Sequence, residues 1–123
     1  MLKNKKLFLV AAAAALGAGV MVFAQQASAS LASCPVRSGT TRMIDDESGR
    51  CGYVADNNRD WRTFGWNDRA DEFGNDGRLL ANCLYRDIHC GGPFVKLPLR
   101  NVVTWRNTVS SNFWTNGSCP RSC

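Results

Sequence analysis

The chain has 123 residues, with 15 Lys plus Arg, 10 Asp plus Glu and one His, for a formal net charge of +5. Three of the cations, Lys3, Lys5 and Lys6, sit in the first six residues; without them 12 cations face 10 anions, a net +2 carried by eleven Arg and one Lys spread along the chain. That spread is not the clustered basic footprint of a nucleic-acid binder, and a single His with no C-x-x-C spacing argues against zinc.

Met1 to Lys6 is basic and free of acids, Leu7 to Ala24 is apolar and alanine-rich, and Gln25-Gln26 leads to Ala27-Ser28-Ala29. This order is that of a secretory signal over 1-29, cut after Ala29. The mature chain, Ser30 to Cys123, is then 94 residues long, enough for one small domain, and the expected location is extracellular. Leu31-Ala32-Ser33-Cys34 also fits the pattern before a lipid-modified cysteine, which would tether the domain to a membrane. The polar gap before Cys34 and the odd five cysteines left over favour a disulfide role instead. Without lipid, no membrane association is expected after signal removal.

Residues 30-50 read as an N-terminal loop segment, in which the acidic cluster Asp45-Asp46-Glu47 before Ser48-Gly49 is expected to be a solvated loop, with a metal site or catalytic pair as the alternative. The domain proper is expected over 51-123. Within it two markers recur. Cys51-Gly52-Tyr53 and Cys83-Leu84-Tyr85 share C-x-Y at a spacing of 32, and the stretch from Trp66 aligns with that from Trp105 at 39. On that alignment the second copy carries seven more residues in its middle than the first. Asn75-Asp76-Gly77 reads as a tight turn. Leu79 to Tyr85 reads as a strand, Cys90-Gly91-Gly92-Pro93 as a turn, Phe94 to Leu97 as a strand limited by Pro98, and Asn101 to Trp105 as a strand rich in Val and Thr. No stretch after the signal keeps a helical period for three turns. Short strands with frequent turns indicate an all-β sandwich or barrel.

Six cysteines, Cys34, Cys51, Cys83, Cys90, Cys119 and Cys123, lie in the mature chain. An even count in a short exported chain reads as a disulfide framework, here supplementing a small core. The spacing suggests Cys83–Cys90 across a hairpin, Cys34–Cys51 at the N-terminal segment and Cys119–Cys123 at the tail. The last loop is short, so Cys119 or Cys123 reaching back to Cys34 or Cys51 stays open.

The second copy, Cys83-Leu84-Tyr85-Arg86-Asp87-Ile88-His89-Cys90-Gly91-Gly92 followed by Val109-Ser110-Ser111 and Phe113-Trp114, resembles a βγ-crystallin Greek-key motif. In that motif an aromatic residue precedes a hairpin glycine, and a later serine bonds across to the hairpin; Tyr85, Gly91 and Ser110 fit these roles. Trp66-Asn67-Asp68-Arg69-Ala70 looks like a stretch common in bacterial members, although the usual Ser-Ser is here Asp71-Glu72. The resemblance implies a two-motif Greek-key β-sandwich whose first motif is truncated. Within the superfamily the exported, cysteine-bearing form is similar to the small actinobacterial metalloproteinase (peptidase) inhibitors.

That resemblance implies a protein partner, an extracellular protease, bound by a monomeric domain. Two segments offer an apolar residue for an inhibitory loop: Cys83-Leu84, and Cys90 to Leu97 with Phe94 and Val95. The superfamily's calcium sites suggest Asn67, Asp68, Asp71 and Ser110 as oxygen ligands, but Arg106 opens the second run with a cation where a ligand belongs; no other cofactor is implied. His89, the lone histidine, has no marked serine or acid partner, so no enzyme is expected. Other classes stay open: Trp61, Trp66, Trp105 and Trp114 as a platform for cell-wall carbohydrate, a calcium-binding module, or an exported antimicrobial, killer-toxin-like protein.

Overall fold

A computed structural model describes residues 30–123; the expected signal, 1-29, lies outside them. The elements are β1 (Thr40–Asp45), β2 (Arg50–Val54), β3 (Glu72–Asp76), β4 (Ala81–Asp87), β5 (Gly91–Leu97), β6 (Val102–Thr104) and β7 (Ser111–Thr115), with short 3-10 turns at Leu31–Ser33 and Trp61–Phe64. All pairings are antiparallel. They form a four-stranded sheet in the order β2-β1-β3-β6 and a three-stranded sheet in the order β5-β4-β7. The all-β, two-sheet expectation holds.

The topology is two Greek keys that exchange their third strands. β1, β2 and β3 belong to the first copy, but the strand completing their sheet, β6, comes from the second. The reciprocal strand of the first copy is reduced to one bridge, Asn58 with Asn112 on β7. Backbone bonds reveal the true equivalence of the copies. Asp71 N donates to Ile44 O and Ser110 N donates to Tyr85 O, each at 2.8 Å. Asp71 thus matches Ser110, and Ile44 matches Tyr85.

This equivalence corrects the sequence reading at three points. Thr40–Asp45, placed in an N-terminal loop, is an inner strand of the first sheet. The C-x-Y repeat does not mark equivalent strands, because Cys51 and Tyr53 lie on the second strand of their copy whereas Cys83 and Tyr85 lie on the first strand of theirs. The first hairpin is therefore complete, with Gly49 in the left-handed region (φ 76°), and the reduction falls on the third strand. Two turns and one strand start also differ: Gly91 to Pro93, read as part of a turn, open β5. Asn75-Asp76-Gly77 ends β3 and carries the chain from one sheet to the other instead of closing a hairpin, and Leu79, 84% exposed, precedes β4 instead of starting it.

The core between the sheets holds Met43, Val54, Trp61, Trp66, Ala70, Phe73, Leu84, Leu97 and Val109. Both outer faces are covered as well. On the first sheet, Leu31 and Cys34 pack against Ile44 and Cys51, and Arg42 Nη1 donates to the carbonyls of Leu31 (3.3 Å) and Cys34 (3.1 Å). On the second, the C-terminal segment packs Cys119 and Cys123 against Cys83, Tyr85, Cys90 and Phe113. Double coverage explains why Asn82, Cys83, Leu84 and Tyr85 are buried consecutively, where one open face would leave every second residue wet.

The disulfides fasten these covers. Cys34–Cys51 forms as expected. Cys83–Cys90 and Cys119–Cys123 do not: the pairs are Cys83–Cys119 and Cys90–Cys123. The correction follows from the pleat. Cys83 faces outward at the middle of β4, opposite Lys96, while Cys90 lies beyond the strand's end, and the tail is the neighbour of both. Their separations of 36 and 33 residues are large enough for loop-closure entropy of about 3–4 kcal/mol each.

Two expectations follow. Peptide mapping under non-reducing conditions yields Cys34–Cys51, Cys83–Cys119 and Cys90–Cys123, and a Cys119–Cys123 peptide contradicts the fold. Gly52 lies under Trp66, where an added Cβ would come within 2.5 Å of the indole and 2.9 Å of Met43; Gly52→Ala is expected to cost about 1–3 kcal/mol by urea denaturation through overpacking.

Candidate functional site

The β4–β5 hairpin is held at several points. Its turn, Ile88 to Cys90, places His89 and Cys90 in the left-handed region, both at φ 58°. Non-glycine residues are uncommon there, and three attachments hold them. Cys90 N donates to Ser111 Oγ at 3.0 Å, while the Ser111 hydroxyl donates to Asp87 O at 2.6 Å. His89 N donates to Arg59 O at 2.7 Å, and Cys123 N donates to His89 O at 3.0 Å. Tyr85 Oη donates to Pro120 O at 2.5 Å, which docks the tail beneath the hairpin. The cross-hairpin serine is thus Ser111 and not Ser110, and the left-handed glycine is Gly92 (φ 70°) and not Gly91. His89 contributes here through its backbone.

β5 leaves this turn as an edge strand. Along it Phe94 faces outward, 37% exposed, and stacks at a tilt on Tyr85 with centroids 5.7 Å apart. Arg121 lies over its ring at 5.7 Å. Val95, one residue on, pairs opposite buried Leu84 and is half-buried, whereas Lys96 turns outward again and its Nζ donates to Gly117 O. Of the expected inhibitory residues, then, Phe94 is presented to solvent. Cys83 and Leu84 are 0% exposed on the middle strand of their sheet and cannot enter a protease cleft, so that segment is corrected from loop to core.

The four oxygen ligands suggested for calcium do not converge. Asn67, Asp68 and Ser110 line one cleft with Arg62, Arg86 and Asp87, while Asp71 sits at the pseudo-equivalent place in the first copy. In the cleft, Asp68 Oδ1 accepts the Ser110 hydroxyl at 3.2 Å and Oδ2 accepts the Asn67 amide at 2.9 Å. Asp87 is paired with Arg86 at 3.0 Å. Arg62 is clamped on Asp60 at 2.7 Å, and its hydrogen bonds hold that carboxyl down to about 2. At the other place, Asp71 Oδ2 accepts Asp46 N at 2.7 Å, and Arg106 Nη1 lies 2.8 Å from Asp46 Oδ2. Burial, then the charges of Glu72 and Asp71, push the Asp46 carboxyl up, and Arg106 draws it back. Calcium takes six to eight oxygens. In the cleft Asp87 is held by Arg86 and Asp68 accepts from Ser110 and Asn67, and at the other place Asp46 already faces Arg106, so neither set offers that many free oxygens. Among the described residues no three His, Cys, Asp or Glu side chains form a metal cage.

The tryptophans do not form a platform. Trp61 and Trp66 are core, and Trp105 packs against that core. Trp114 lines a separate cleft of about 390 Å³ with Asp56, Asn57, Arg78, Leu79 and Leu80. Sequence reasoning passed over Asn82 and Asn112, both fully buried; an asparagine inside an apolar strand was the available signal.

No family model matches the chain, and no curated protein matches it significantly. A solved structure from work on the evolution of the eye-lens βγ-crystallin domain fold superposes with a TM-score of 0.59 at 20% identity, covering 70% of this chain and 94% of that one. The fold is therefore that of a βγ-crystallin domain. At this identity the likeness concerns the fold alone.

Removing the Ser111 hydroxyl orphans Cys90 N–H and frees the Asp87 carbonyl in a buried setting. Ser111→Ala is expected to lose about 1–3 kcal/mol, with faster amide exchange at Cys90 by hydrogen–deuterium exchange. Ser110→Ala, which removes only the 3.2 Å bond to Asp68, is expected to leave Cys90 protected.

Proposed function

We propose that this is an exported, non-catalytic, monomeric domain that inhibits an extracellular peptidase, with a metalloproteinase as the first target to test, by docking the open edge of β5. The observation supporting this reading is the state of that strand. It is extended and outermost in its sheet, with Pro93, Phe94 and Lys96 exposed, and it is bracketed by Cys90–Cys123 at its start and Cys83–Cys119 on the strand beside it. Peptidases bind extended backbone, and an edge strand offers unpaired main-chain groups in that shape. A strand immobilised beforehand loses little entropy on docking. Phe94 supplies the bulky apolar side chain that an apolar specificity pocket takes.

A panel of thermolysin-like and serine peptidases assayed with residues 30–123 tests the reading. Inhibition of at least one member below micromolar concentration is expected, with Phe94→Ala weakening it about tenfold or more, ~1.4 kcal/mol. Absence of inhibition across the panel at micromolar concentration removes the proposal. The Trp114 cleft, with an aromatic wall beside Asp56, Asn57 and Arg78, favours cell-wall saccharide as the second reading. Retention on cell wall that is lost in Trp114→Ala, without inhibition, selects it.

A further inference from the structure

The two copies meet at a pseudo-twofold crossing. Asp68 N donates to Val109 O at 3.1 Å and Asn107 N donates to Ala70 O at 3.0 Å. Asp68 and Asn107, 39 residues apart, are both left-handed, at φ 55° and 50°. Beside each lies the turn of a hairpin with a carboxylate. At the second hairpin, Asp87 is matched by its neighbour Arg86. At the first, Asp46 is matched by Arg106, which reaches over from the other copy.

The Asp46 site is the more demanding. Asp71 is 1% exposed and its Oδ1 has no hydrogen-bond donor; Asp46 Oδ1 is likewise buried without one. The Asp71 carboxylate accepts the Asp46 backbone N–H at 2.7 Å, and with the Asp46 carboxylate and the charge of Glu72 acting on it negative charge is concentrated where water is scarce. Buried carboxylates of this kind require a cation, from the solution or from the chain.

We propose that Arg106 is that cation: its guanidinium pairs with Asp46 at 2.8 Å, beside Asp71, takes the charge-balancing role that a bound divalent ion would otherwise have, and locks the first hairpin to the second copy without metal. The arginine is fixed in sequence where an ion would exchange, so the crossing stays closed at any calcium concentration or in chelator.

The test compares melting of residues 30–123 and of Arg106→Ala in 5 mM Ca²⁺ and in chelator. The variant is expected to melt ~5–10 °C lower than the parent in chelator and to recover at least half of that in Ca²⁺, a gain well above any the parent shows. Arg106→Lys, which keeps a cation, is expected to melt near the parent. Adding Asp46→Asn to Arg106→Ala removes the charge that needs balancing, so the double variant is expected to lose both the instability and the calcium response. A variant that melts like the parent overturns the proposal. So does one that is destabilised but gains nothing from Ca²⁺, or fails to fold in both buffers, since the arginine would then be an ordinary ion pair. A calcium response that survives Asp46→Asn places the ion elsewhere and also overturns it.

Discussion

A buried chain of amides between the two sheets sets the arrangement of everything else. Asn112 Oδ1 accepts Trp61 Nε1 at 2.9 Å and Asn58 Nδ2 at 3.1 Å, and its Nδ2 donates to Asp56 O at 3.1 Å and Asn82 Oδ1 at 3.0 Å. Asn82 Nδ2 continues to Thr41 Oγ1 at 2.9 Å. A primary amide has two donors and two acceptor sites, and Asn112 uses all of them. Thr41, Trp61, Asn82 and Asn112 are each fully buried. A satisfied network of this kind gains in a low dielectric what a broken one would lose. It ties β1 of one sheet to β4 and β7 of the other, and it holds the reduced third strand of the first copy where few ladder bonds would.

The same economy governs the outer faces. Seven short strands enclose a modest core, so the chain buries its sheets on both sides, one under the segment before β1 and the other under the segment after β7. Neither cover has secondary structure capable of holding itself, apart from a single 3-10 turn. Each is held by disulfides, by carbonyl oxygens that accept Arg42 or Tyr85, and by a few apolar contacts. Stability in such a domain comes from restricting the unfolded chain as much as from burial.

Charge is arranged on a similar principle. Acids at the ends of the sandwich face arginines: Asp76 with Arg42, Asp46 with Arg106, Asp87 with Arg86, Asp60 with Arg62. A further distinctive surface is the edge of β5 with its rigid turn. A strand held in place beforehand loses little entropy on docking, which is the physical basis of the binding proposal.

The all-β class, the second copy's hairpin, the β5 and β6 strands and the stapling by six cysteines were all legible in the residues, because alternation, Gly-Pro punctuation and cysteine count are local signals. β1 was not legible. Thr40–Asp45 contains Arg42 and ends in Asp45, and only tertiary partners, Asp76 at 2.8 Å and the carbonyls of Leu31 and Cys34, make a charged strand stable inside a sheet. Phe94 and Leu84 are both apolar strand residues, yet Phe94 is exposed and Leu84 is core, since exposure depends on which face the pleat presents. Ser110 and Ser111 differ by one residue, and that residue decides which of them reaches the hairpin. By itself, then, the sequence determined which segments extend, where they turn and that cysteines must fasten them, since those preferences lie within a few residues. The tertiary structure alone decided the exchanged third strands, the cysteine partners and the pairing of Arg42 with Asp76 and of Arg106 with Asp46, since these join residues far apart in the chain that only the packing of two sheets brings together.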